Sequence, residues 1–165
     1  MNTFICEKGC CKFHITNWMR PRYSSFKRGI KINRKKAGVF VYDPLNRKVL
    51  LVQSCGKLWG PPKGSMEENE TFETCAQREL LEETGMTVDN IVYQNPIFIK
   101  NNAVYFYAEV DEKDCRVQNT VGNNDANGIG WFNVECLLDC INSGKIKVNQ
   151  HLKLTFKQFL GIPLI

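Results

Sequence analysis

Residues 64–86 read Gly64-Ser65-Met66-Glu67-Glu68-Asn69-Glu70-Thr71-Phe72-Glu73-Thr74-Cys75-Ala76-Gln77-Arg78-Glu79-Leu80-Leu81-Glu82-Glu83-Thr84-Gly85-Met86. Thr71 suits an N-cap and Gly85 suits the left-handed position after a helix, so the pattern predicts a helix over 71–84. With Phe72 set to 0° and about 100° per residue, Cys75 falls near 300° and Ala76 near 40°. Glu79 falls at roughly 340°, Glu82 at roughly 280° and Glu83 at roughly 20°. Three carboxylates therefore continue the apolar stripe of the helix instead of opposing it.

A solvated acidic face belongs on the side away from the apolar stripe. Carboxylates along the stripe repel one another by roughly 4 kcal/mol per close pair at an effective dielectric of about 20. They also stand toward the helix C-terminus, where the macrodipole disfavours negative charge. Two readings stay open, a solvated cluster and a nest for a hard divalent cation. The placement favours the cation, and Mg²⁺ suits phosphate chemistry.

The stretch resembles the Nudix box: Gly, five residues, Glu, seven residues, Arg-Glu, an apolar residue, any residue, Glu-Glu, any residue, Gly and an apolar residue. Gly64, Glu70, Arg78, Glu79, Leu80, Glu82, Glu83, Gly85 and Met86 meet every specified position. The resemblance implies an α/β fold, an α/β/α sandwich with a mixed β-sheet, from about residue 37 onward. It implies a Mg²⁺- or Mn²⁺-dependent hydrolase of a phosphoric anhydride bond in a nucleotide-like substrate. Glu79, Glu82 and Glu83 would be metal ligands, with the Gly64 carbonyl as a further one. Arg78 would hold the carboxylates by ion pairing, and Glu70 would brace the loop. Family members differ in their general base. Glu79 is the first choice here and Asp125, six residues before Trp131, the second; the alternative for Asp125 is a turn residue within 123–127. Many relatives carry Glu where this chain has Gly128-Ile129-Gly130.

The lead-in Trp59-Gly60-Pro61-Pro62-Lys63-Gly64 resembles two groups within the family. Asymmetric diadenosine tetraphosphate hydrolases have Trp, one residue and Pro-Pro-Lys-Gly; messenger RNA decapping enzymes have Trp-Gly-Phe-Pro-Lys-Gly. Trp59 and Lys63 are therefore candidate substrate contacts, Lys63 as a point charge on phosphate or else as a solvated loop lysine. Tyr105 and Tyr107 alternate with Val104, Phe106 and Ala108, so they share a strand face. They either stack a base or pack half-buried.

Working outward, 37–42 and 48–53 read as a hairpin around the turn Asp43-Pro44-Leu45-Asn46. The prolines and glycines of 58–64 predict a fixed loop. Strands are expected at 88–93, 96–100, 103–110 and 129–134, a polar loop at 118–128, and helices at 135–141 and 150–160. The expected domain is 37–165, preceded by an arm over 1–36.

That arm holds ten Lys or Arg and one acid, a charge of +9, while the rest of the chain holds twelve bases and sixteen acids, −4. A basic arm suits a polyanion such as RNA, or is a solvated tail. It also carries Cys6, Cys10, Cys11 and His14, either free or a Zn²⁺ site. Eight cysteines without a secretory signal point to a reducing, cytoplasmic setting. No apolar run is long enough to span a membrane. The leading function is hydrolysis of a nucleoside-diphosphate-linked substrate, the 5′ cap of messenger RNA included. The alternatives are a dinucleoside polyphosphate hydrolase, a non-catalytic module on the same fold, and an RNA-binding protein that works through its arm.

Overall fold

The computed structural model describes residues 2–15, 34–54, 57–100, 102–113 and 126–164. The elements in chain order are β1 (Asn2–Ile5), β2 (Lys12–Ile15), β3 (Lys36–Asp43), β4 (Lys48–Ser54), β5 (Leu58–Gly60), β6 (Lys63–Ser65) and α1 (Phe72–Thr84). They continue with β7 (Val92–Ile99), β8 (Ala103–Glu109), β9 (Ala126–Asn133), α2 (Val134–Asn142), β10 (Lys147–Val148) and α3 (Gln150–Leu160). The sheet runs β1-β2-β9-β4-β3-β8-β7, with β5 and β10 beyond β4 and β6 on β3. The pairs β3–β8 and β5–β10 are parallel and the others antiparallel, so the sheet is mixed. Parallel neighbours need a crossover connection. The chain makes that of β3 and β8 on the face where α1 lies.

The β3–β4 turn forms because Asp43, fully buried, accepts hydrogen bonds from the amides of Leu45 (3.0 Å), Asn46 (3.2 Å) and Glu112 (3.1 Å). Side chains of the central strands alternate between two cores. Ala37, Val39, Val41, Leu50, Val52, Val104 and Phe106 face one way and meet Cys75, Ala76 and Leu80 of α1. Phe40, Tyr42, Val49, Leu51 and Phe132 face the other way and meet Leu137 of α2 and Leu152 and Phe156 of α3. These two layers of helix around one sheet are the sandwich that the sequence led us to expect.

Four expectations need correction. The segment 58–64 is not wholly loop: β5 and β6 flank Pro61 and Pro62, and the Pro62 carbonyl accepts from the Val39 amide at 3.2 Å. The strands expected at 88–93 and 96–100 are one strand, β7, whose register slips between Val92 and Ile97. Asn95, at φ 54°, and Pro96 sit in that slip, which an edge strand tolerates. The polar loop gives up 126–128 to β9, and its residues 118–125 lie outside those described. The expected arm is partly sheet: β1 and β2 form a hairpin, and β2 pairs with β9 along Lys12↔Trp131 to Ile15↔Gly128. Phe13 anchors it, stacking on Phe132 at 5.4 Å and meeting Trp59 edge-on at 5.9 Å. Gly130 permits this approach, since a β-carbon there would lie 2.8 Å from both the Phe13 Cα and the Lys12 carbonyl.

Candidate active site

Helix α1 begins and ends where its sequence dictates. The Thr71 hydroxyl accepts the Thr74 amide at 3.1 Å, and Gly85, at φ 74°, donates to the Leu81 carbonyl at 2.8 Å. Between these caps the face turns from apolar to acidic along one buried strip. Glu83 is 5 % exposed, and the side chains of Glu79 and Glu82 are 12 % and 21 % exposed. The order follows the wheel, with Glu83 and Glu79 near the middle of the stripe and Glu82 on its edge.

Arg78 ties this strip to the preceding loop. Its Nε and Nη2 donate to the two oxygens of Glu70 at 2.7 and 2.9 Å, a bidentate pair. Nη2 also donates to the Ser65 carbonyl at 2.9 Å, and Nη1 donates to Glu79 at 2.9 Å and Glu82 at 3.2 Å. The hydrogen bond from Arg78 holds the Glu70 carboxyl down at about 2. Burial moves Glu79 the other way: desolvation raises its pKa, Arg78 opposes the rise, and the charge of Glu82 adds to it. Burial thus makes Glu79 more basic than an ordinary carboxylate.

Strand β6 closes against the helix because position 64 has no side chain. A β-carbon on Gly64 would fall inside the Glu79 carboxylate. The Gly64 carbonyl accepts weakly from the Cys75 thiol at 3.6 Å, and the Lys63 amide donates to Glu83 at 3.0 Å. Glu79 and Glu82 thus face Arg78, while Glu83 turns to the strand. The chemistry of the three carboxylates fits a hard cation. All are oxygen donors, the helix sets them on one strip, and a main-chain carbonyl stands beside them.

Near the site, His151, Lys36 and Lys100 carry no signal in the local sequence. His151, at the start of α3, lies 2.7 Å through Nδ1 from the Tyr105 hydroxyl. Burial and then the positive charges of Lys63, Lys36 and Lys100 bring its pKa down to about 4. These three lysines, scattered in sequence, share one electropositive region at the β6 side of the site. No local motif joins them; only the pairing of β3 with β6 and β8 does.

The other expected contacts are settled by burial. Tyr105 and Tyr107 share a face, but α3 covers it: Tyr105 is fully buried, and Tyr107 lies between Phe40 and Phe159. Packing, not base stacking, occupies them. Trp59 is likewise buried against Phe132. Asp125 lies outside the described residues. A β-carbon at Gly128 would press on Trp59 and Gln53, and one at Gly130 would collide with Phe13 and Lys12, so a carboxylate at position 130 would displace the hairpin.

A profile of the NUDIX domain matches residues 32–152, well over half of the chain. The chain belongs to the Nudix family. Protein 111R of Invertebrate iridescent virus 3 is 37 % identical to this Nudix chain over 145 residues, covering 84 % of this chain and 82 % of that protein. The NAD-capped RNA hydrolase NudC of Chromobacterium violaceum is 32 % identical over 97 residues, 55 % of this chain and 35 % of that one. The NUDIX domain of Shewanella oneidensis NrtR, solved with ADP ribose, superposes with a TM-score of 0.60 at 18 % identity, covering 82 % of this chain and 91 % of that one. A C. elegans Ap4A hydrolase binary complex gives 0.52 at 23 %, covering 77 % and 98 %. These two structures share the fold. As a Nudix hydrolase the protein acts on phosphoric anhydride bonds, and hydrolases of this family generally use Mg²⁺ or Mn²⁺. No helix among the described residues is long and apolar enough to cross a membrane.

Proposed function

We propose that this Nudix hydrolase cleaves a nucleoside-diphosphate-linked substrate, with the 5′ cap of RNA as its preferred form and Glu79, Glu82 and Glu83 as ligands of the divalent cation. The supporting observation is the placement of these carboxylates: they follow the buried strip of α1, two of them clamped by Arg78, beside a Gly64 that admits nothing larger. Mg²⁺ or Mn²⁺ held there, with the Gly64 carbonyl as a further ligand, supplies charge neutralisation at the diphosphate and a lowered pKa for a bound water.

The chain's own residues divide the remaining work. Glu79, the first-choice base, takes the proton from the attacking water. The water oxygen forms a bond to one phosphorus, the bridging P–O bond breaks, and the other phosphate leaves with the electron pair. Arg78 keeps the carboxylates in position without touching the reacting atoms. Lys63, together with Lys36 and Lys100, whose charges all reach His151, draws the polyphosphate toward the β6 side of the site.

The RNA preference rests on the +9 charge of residues 1–36 and on the similarity to a hydrolase of NAD-capped RNA. A dinucleoside polyphosphate is the second reading, favoured by the Pro61-Pro62 pair. The test is nucleotide release from capped RNA, NAD-capped RNA, diadenosine tetraphosphate and ADP ribose with Mg²⁺ or Mn²⁺. Release should stop on chelation and fall on the order of 10²-fold or more in Glu82→Gln. No release from any substrate would favour a binding module. Deleting residues 1–36 would remove two strands, so the RNA preference is better tested by neutralising Arg20, Arg22, Lys27, Arg28 and Lys31. Loss on capped RNA alone supports it, and equal rates on small and large substrates remove it.

A further inference from the structure

The N-terminal hairpin carries a second cluster of ligating atoms, remote from the carboxylates in sequence and different in chemistry. The thiols of Cys6, Cys10, Cys11 and Cys136 all lie within 4.8 Å of one another. The first three stand in and beside the β1–β2 turn, and Cys136 is the third residue of α2. The sequence suggested His14 as the fourth member; His14 is on β2 opposite Thr3 and Ile129 and is not part of the group. We propose that these four cysteines bind one structural Zn²⁺, which clips the hairpin to the N-terminus of α2.

Distances support the assignment. Zn–S bonds of about 2.3 Å in a tetrahedron set neighbouring sulfurs about 3.8 Å apart. The sulfurs of Cys6 and Cys10 are 3.6 Å apart, and those of Cys10 and Cys11 are 3.9 Å apart. Adjacent cysteines share one site here because they sit in a turn, where side chains need not alternate as they do along a strand. Gly9, at φ 71°, bends that turn, and the Gly9 amide closes it on the Cys6 carbonyl at 2.8 Å.

Main-chain amides reach two of the four sulfurs. The Cys11 amide donates to the Cys6 sulfur at 3.3 Å, and the Asn133 amide donates to the Cys11 sulfur at 3.3 Å. Main-chain donors to ligating sulfur are the outer support that metal sites use. Cys136 lies in the first turn of a nine-residue helix, where the macrodipole favours negative charge. The Lys8 ammonium, paired with Asp139 of the same helix at 3.4 Å, lies within electrostatic reach of Cys10 and Cys136. Four sulfurs select Zn²⁺ over the hard cations suited to the glutamates, and four protein ligands leave no open position for catalysis. Among the described residues the hairpin joins the sheet through β2, and a metal on the cysteines would add a tie between its turn and α2.

The test is metal analysis of the full chain after desalting, with serine variants and cobalt substitution. Wild type should carry one zinc per chain, lost from Cys11→Ser and Cys136→Ser. It should be kept by Cys140→Ser, one helical turn away, and by His14→Ala and Glu82→Gln. Because a ligand variant can fail to fold, Co²⁺-substituted wild type gives a second readout. Thiolate-to-cobalt charge transfer with intense visible d–d bands supports four sulfur ligands. Wild type without stoichiometric zinc, zinc retained by a folded Cys136→Ser, zinc lost with Glu82→Gln, or a cobalt spectrum without thiolate bands would overturn the proposal.

Discussion

Gly64 and Arg78 carry the site at the scale of single residues. Gly64 is required by space, since the Glu79 carboxylate fills the volume of any β-carbon there. Gly64→Ala should lower kcat/KM on the order of 10²-fold by misplacing Glu79, and overpacking should cost about 1–3 kcal/mol in denaturant unfolding. Wild-type kinetics in this variant would show that the close approach is not needed. Arg78 makes five polar contacts at 3.2 Å or less, through Nε, Nη1 and Nη2. A lysine has a single nitrogen and cannot reproduce the bidentate grip on Glu70 while reaching Ser65, Glu79 and Glu82. Arg78→Lys is expected to cost at least about tenfold in kcat/KM and 3–5 kcal/mol at most in stability. Steady-state kinetics and a thermal melt of one preparation check both.

At the scale of elements, the parts fixed by local chemistry were legible and the parts fixed by long-range pairing were not. Helix α1 was readable from Thr71, Gly85 and the period of its apolar residues, and the three glutamates with it. Replacing the cap, Thr71→Ala, should cost about 1 kcal/mol, read as a lower urea midpoint with kcat nearly unchanged. The site was legible to the same depth: residues of the box were placed by spacing, whereas Lys36, Lys100 and His151 come together only through strand pairing and the packing of α3. The hairpin of β1 and β2 gave no sequence signal, because four-residue strands among charges lack a period to read. Its docking depends on Gly130, distant in the chain, where the absent side chain admits Phe13. Gly130→Ala should therefore loosen the hairpin before the core, seen as faster amide hydrogen exchange over 12–15 with protection of β3 and β4 retained. Uniform loss of protection, or none, would contradict this separation of the two units. Trp59 and the tyrosines misled for a related reason. Aromatic residues near a binding loop look alike in sequence whether they meet a base or another layer of the fold, and α3 supplies that layer here.

The whole molecule should lose stability on acidification in two windows. His151 binds its proton at about 4 when folded against an ordinary 6.5, so the unfolded chain takes up more protons between those values. Its contribution is complete above 6.5 and is lost as the pH falls toward 4. Glu70 is held at about 2 against 4.5, so its contribution is present above 4.5 and lost as the pH falls through 2, on the order of 3 kcal/mol in all. Urea midpoints across this range should fall in both windows, with His151→Gln flattening the upper one and Glu70→Gln the lower. Parallel profiles for wild type and both variants would show that neither group is shifted by folding.

The strip of glutamates stands at the centre as a site for hard divalent cations, and Mn²⁺ binding followed by electron paramagnetic resonance tests it most directly. Free Mn²⁺ gives the signal and bound Mn²⁺ loses it, and Mn²⁺ has little affinity for the thiol cluster. Wild type should deplete the free signal, and Glu79→Gln, Glu82→Gln and Glu83→Gln should each weaken binding by at least about tenfold. Binding of equal strength in all four proteins, or none in the wild type, would contradict it.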